Sequence, residues 1–83
     1  MIHDFEYIAY CFSTKIERYS GRNMFGKQCI GFIVPHKEAN ELKAIAFTLG
    51  IKNPKVDNMG RDYIVYFPDY EYDLVMNEPK TMF

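Results

Sequence analysis

Apolar side chains recur along the first part of the chain at steps of three and four. Phe5, Ile8, Phe12, Ile16 and Tyr19 fall on one face of a helix. Asp4 stands where a side chain can cap that helix, and Glu6 falls in its first turn, where the backbone dipole favours acids. Residues 5–12 are also rich in aromatic and β-branched types, so a strand from Phe5 to Phe12 competes. No turn signal interrupts residues 4–19, and that length is long for one strand. The spacing therefore predicts a helix.

The pattern then changes period. From Gln28 to Val34, the residues Cys29, Ile30, Phe32, Ile33 and Val34 are apolar on both sides, which suits a central strand ended by Pro35. Glu38 to Leu49 returns to the helical step. Ala39, Leu42, Ala46 and Leu49 share a face with Ile45, while Lys37, Glu41 and Lys43 face water. Gly50 occupies the position of a left-handed C-terminal residue, and Ile51 can fold back as its apolar partner. Residues 52–60 are turn-rich. Val56 can start a short strand that turns at Asn58–Gly60 and pairs with Arg61 to Phe67. In that second strand Tyr63, Val65 and Phe67 share one face and Ile64 and Tyr66 the other, with Pro68 as its stop. Asp69 to Met76 fits a short helix or an edge strand, with the helix favoured, and Pro79 to Phe83 should fray.

This order predicts a single α+β domain over residues 1–83: a small two-layer sandwich of helix, strand, helix, hairpin and short helix, with a sheet of two to four strands. A sheet of two or three strands is thin for independent stability. Either the first element contributes a strand or a second copy completes the edge, which leaves a homodimer open.

Composition adds two constraints. Seven Tyr and seven Phe in 83 residues, with no Trp, suit a small core but exceed what it can enclose, so some tyrosines must reach the surface. The net charge is −1 but unevenly spread. Residues 1–61 hold nine Lys and Arg against six Asp and Glu. Residues 62–83 hold Lys80 against Asp62, Asp69, Glu71, Asp73 and Glu78. Asp4 and Glu6 interrupt any leader-like start, no apolar run has membrane length, and two cysteines make no disulfide scaffold. These features predict a cytoplasmic chain with free, buried, structural cysteines.

Catalytic chemistry finds little footing. Gly21 to Lys27 has the G-x-x-x-x-G-K spacing of a phosphate-binding loop, but Gln28 stands where that loop needs a hydroxyl for Mg²⁺. The order of elements is also reversed, because a strand follows the loop instead of preceding it. Cys29 and His36 lie at opposite ends of one strand, roughly 20 Å apart at the usual rise, so they cannot form a nucleophile–base pair. Cys11, Cys29, His3 and His36 lack zinc-ligand spacing. Asp69, Glu71 and Asp73 have no apolar cleft to separate their acidities. The expectation is a non-enzyme with no cofactor and no metal.

Two surfaces remain. Tyr63, Tyr66, Tyr70 and Tyr72 interleave with Asp62, Asp69, Glu71 and Asp73. Tyrosine presents a large rigid area with one polar handle, so this end, and Tyr66, Asp69, Tyr70, Glu71, Tyr72 and Asp73 in particular, predicts a docking surface for a basic protein. The second patch is Arg18, Tyr19, Arg22, Phe25 and Lys27, where cations interleave with aromatics. It suits single-stranded nucleic acid and stands as the alternative.

The run Ser20-Gly21-Arg22-Asn23-Met24-Phe25-Gly26-Lys27-Gln28-Cys29 resembles a Gly-Arg-x-Met-aromatic-Gly-x-x-Cys element of small phage and bacterial proteins. The length, the missing catalytic set and the aromatic content are similar to those of phage-encoded inhibitors of host defence, anti-CRISPR proteins among them. The resemblance implies a binding protein that occludes a partner surface. It assigns no residue a role.

Overall fold

The computed structural model describes residues 1–21 and 27–77. The chain is an α+β two-layer sandwich: helix α1 (Ile2–Cys11), strands β1 (Glu17–Tyr19) and β2 (Cys29–Pro35), helix α2 (Ala39–Thr48), strands β3 (Lys55–Met59) and β4 (Asp62–Glu71), and helix α3 (Tyr72–Met76). One turn of 3₁₀-helix, His36–Glu38, leads into α2. The four strands form one antiparallel sheet in the order β1-β2-β4-β3.

The core lies between the helices and one face of the sheet. Ile30, Phe32 and Val34 of β2 and Val65 and Phe67 of β4 meet Ile2, Phe5 and Ile8 of α1 and Ala39, Leu42 and Ala46 of α2. Phe5 is its aromatic centre. Its ring lies 6.2 Å from Phe32, 5.9 Å from Phe67 and 5.4 Å from Tyr70, the last two edge-on. Edge-on and offset contacts suit the ring quadrupole, so one side chain ties α1 to both central strands.

Both longer helices end in the same way. At the end of α2 the Gly50 N–H donates to the Phe47 carbonyl and the Ile51 N–H to the Ala46 carbonyl, with Gly50 left-handed at φ +81. This pairing satisfies carbonyls that a helix end would orphan, and Ile51 is buried behind it. At the end of α1 the Ser13 N–H donates to Tyr10 and the Thr14 N–H to Ala9, with Ser13 at φ +50. A serine thus takes the position that favours glycine.

That turn corrects the expected first element. The helix does not continue to Tyr19; it stops at Cys11, and residues 17–19 form β1, the fourth strand. The sheet has its fourth strand within one chain, so the argument for a second copy from a thin sheet falls away. Asp4 is not the cap, because the helix begins at Ile2 and Asp4 sits inside its first turn. Just before β1 begins, the Thr14 hydroxyl donates to the Ile33 carbonyl at 2.8 Å and satisfies part of the strand edge.

Pro68 does not end β4. Ile30 pairs with Phe67 and Cys29 with Glu71, so residues 68–70 of β4 stand opposite no residue of β2. Proline is tolerated at such a bulge because no ladder bond needs its missing N–H. Asp69 to Glu71 are therefore strand, and helix begins only at Tyr72, whose N–H donates to the Gln28 carbonyl at 2.7 Å. The expected fraying of Pro79 to Phe83 lies outside the described residues.

Candidate partner-binding surface

The helices cover one face of the sheet. On the other face, strand alternation places Glu17 and Tyr19 of β1, Gly31 and Ile33 of β2, Asp62, Ile64 and Tyr66 of β4, and Lys55, Asp57 and Met59 of β3. No described element packs over this second face.

A small cluster organises its centre. Glu17, Gly31, Tyr66 and Lys55 lie in one row across the four strands. The Tyr19 ring crosses β2 to meet Tyr66, with centroids 4.6 Å apart. Gly31 makes room for this crossing. A Cβ there would come within 2.9 Å of the Ile64 side chain and 3.3 Å of Tyr19 Cβ. The tyrosine pair and its neighbours leave Ile64 only 2% exposed although no helix covers it. The Tyr19 hydroxyl donates to Asp57 Oδ2 on the far strand. Burial, and then this bond to a carboxylate, push the Tyr19 phenol up to about 12.

Part of each patch expected from the sequence meets the other in the fold. Arg18 Nη1 donates to Asp73 Oδ1 at 2.9 Å and to Gln28 Oε1 at 3.2 Å, and its guanidinium lies 4.2 Å above the Tyr72 ring. Lys27 Nζ sits 3.6 Å from Glu71 Oε1. Each described cation of the basic patch thus faces an acid of the acidic one. Arg22 and Phe25 lie outside the described residues.

The acidic tyrosine end is accordingly divided. Tyr66 looks onto the uncovered face. Tyr70 turns into the core against Phe5 and Phe67, with its hydroxyl 3.4 Å from the Lys52 N–H. Tyr72 lies under Arg18, and Tyr63 stacks on His36 at 3.9 Å. Asp69 accepts from Asn53 Nδ2 at 2.6 Å. Tyr66 pairs with Tyr19 instead of with Tyr70 or Tyr72. The residues missing from the sequence reading are Gly31 and Asp57, while Ile64 shares a face with Tyr66 in that reading without a role. Only the folded register brings them to Tyr19, and no local motif marks them.

Cys29 is buried beside Tyr19, and burial pushes its thiol up, away from the reactive thiolate. Cys11, expected to be buried, is exposed, because it follows exposed Tyr7 by one turn on the solvent side of α1. Among the described residues no group of three or more His, Cys, Asp or Glu is placed to share a metal ion, and no helix is long and apolar enough to cross a membrane. Comparison with protein-family models, with curated proteins and with solved structures finds no match.

Proposed function

We propose that this chain is a non-enzymatic protein-binding protein that occludes a basic surface of a partner with the uncovered face of its sheet. The observation that carries this proposal is the Tyr19–Tyr66 pair on a face that no described helix covers. Two rigid aromatic side chains are held in place by Gly31, Ile64 and Asp57. They meet the general requirement for an interface anchor, which is large area with little entropy left to lose. The charge on the same face selects the partner. Glu17, Asp57 and Asp62 stand there against Lys55, which repels phosphate and attracts cations.

The charge pattern disfavours the nucleic-acid alternative. Arg18 and Lys27 face Asp73 and Glu71, so the described cations of the basic patch are partnered by acids within the chain. The further proposal is that the chain is phage-encoded, acts in the cytoplasm and inhibits a host-defence or nucleic-acid-processing complex. That part draws on the resemblance of residues 20–29 and of the chain's makeup to such inhibitors. The surface draws on geometry.

The test is capture of partners from host lysate with and without nuclease, followed by binding kinetics on the captured protein. Partner retention after nuclease is expected. Tyr66→Ala should weaken affinity by about 1–3 kcal/mol. Glu17→Lys and Asp62→Lys should slow association more than they speed dissociation. Release of everything by nuclease, or normal binding by these variants together with loss in Arg18→Ala and Lys27→Ala, would overturn the assignment.

A further inference from the structure

A second concave site lies away from the sheet face just described. Where α2 passes β3, the surface sinks into a depression of about 410 Å³. That falls within the range of small-molecule sites, roughly 300–1,000 Å³. Ala39 and Val56 supply its apolar lining. One wall is aromatic: the exposed His36 ring lies almost flat on Tyr63, at 3.9 Å between centroids and 17° between planes. Tyr63 is fixed in β4 between Val34 on one side and Asn58 on the other, so the imidazole is held as a flat shelf.

The polar lining is rich in donors. It consists of Asn40 and Lys43 from α2 and Asn58 from β3, with His36 and Tyr63, and no carboxylate lines the depression. Lys43 makes no ion pair among the described residues. The Oδ1 of Asn58 accepts from the Gly60 N–H at 2.9 Å, which leaves its Nδ2 to donate elsewhere. An ammonium and two amides around a flat aromatic wall complement a ligand with an acceptor-rich anionic group and a planar body.

We propose that this depression binds a small anion that carries a flat ring, of nucleoside monophosphate size. Its phosphate or carboxylate meets Lys43 with Asn40 and Asn58 alongside, and its ring lies against His36. The site is independent of the protein-binding face. Lys43 in α2 and His36 in the turn before it lie on the helix side of the sheet, while Tyr19 and Tyr66 lie on the opposite face.

The experiment is titration of the full ¹⁵N-labelled chain with adenosine monophosphate, adenosine, inorganic phosphate and benzoate, followed by amide shifts. Saturable shifts at Ala39, Asn40, Lys43, Asn58 and Tyr63 are expected with adenosine monophosphate. Weaker shifts at the same amides are expected with phosphate or adenosine alone, because each supplies half of the contact. Benzoate reports whether a carboxylate serves in place of phosphate. Lys43→Gln, which keeps length and removes charge, should weaken binding by about tenfold, the effect of one charge-assisted bond in an open site. His36→Ala should weaken the ring-bearing probes and leave phosphate unchanged. Shifts that do not saturate at millimolar probe, that centre on Arg18 and Lys27, or that survive unchanged in Lys43→Gln would overturn the assignment. Unaltered spectra elsewhere in each variant establish that it is folded. Loss of partner capture in Tyr66→Ala with adenosine monophosphate binding intact would separate this site from the sheet face.

Discussion

Removing one oxygen from Tyr19 tests whether the uncovered face is held as described. Tyr19→Phe keeps the ring on Tyr66 and deletes only the bond to Asp57. A hydrogen bond to a charged acceptor contributes about 1.5–3 kcal/mol when buried, and the half-open setting brings this to about 1–2 kcal/mol. The acidity of the phenol sets the pH dependence. Its pKa rises from 10.0 to about 12 in the fold, chiefly through burial and then through Asp57. Two units correspond to at most about 2.7 kcal/mol, again reduced by solvent screening. Because the folded value is raised, this contribution is complete below pH 10, the unfolded value, and is lost as pH climbs toward 12. Urea melts should therefore show Tyr19→Phe less stable at neutral pH, with the gap narrowing steadily above pH 10 as the parent weakens. A cycle with Asp57→Ala should give a coupling of about 1 kcal/mol. A coupling near zero, or a gap that stays constant into strong alkali, would refute the cross-sheet bond as a support of β1.

Three further outcomes follow from the packing. Tyr70→Ala should destabilise the fold by about 2–4 kcal/mol in chemical melts, since it removes a ring packed on Phe5 and Phe67, whereas Tyr66→Ala, which gives up the contact with Tyr19, should cost about 1 kcal/mol and leave the chain folded. Gly50→Ala should cost about 1 kcal/mol, because nothing crowds that position and the penalty is purely that of a left-handed backbone, while Ser13→Gly should stabilise by about 0.5–1 kcal/mol for the converse reason. A double-mutant cycle on Arg18 and Asp73 should yield under about 1 kcal/mol, falling with salt, since both side chains are exposed.

The contrast between Gly50 and Ser13 explains why one helix could be bounded from the sequence and the other could not. Both helices close with the same pair of backbone bonds, but only one announces it with glycine. Ile16 and Tyr19 continue the helical spacing of Phe5, Ile8 and Phe12, although they belong to an irregular link and a strand. The spacing is fortuitous, and tertiary bonds from Thr14 to Ile33 and from Tyr19 to Asp57 decide the outcome. The central strand, the second helix and the hairpin were legible because periodicity, Gly50 and the turn at Gly60 all agree. The surface was half legible. The aromatic and charged residues stand out in the chain, but Arg18 meets Asp73 across 55 positions, and no local pattern carries that distance.

The break in β4 has an arithmetic origin. Phe67 and Tyr70 both turn toward Phe5, yet they are three residues apart, an interval that returns to the same side in a helix and to the opposite side in a strand. No uninterrupted strand can bury both rings. The three residues 68–70 that face no partner in β2 let the chain take one helix-like step inside a sheet. A chain lacking Asp69 alone would place the two rings at the even interval a plain strand requires. Shortening or lengthening by one residue makes the interval even, so either change should keep both rings on the core side, with two or four residues instead of three left unpaired against β2.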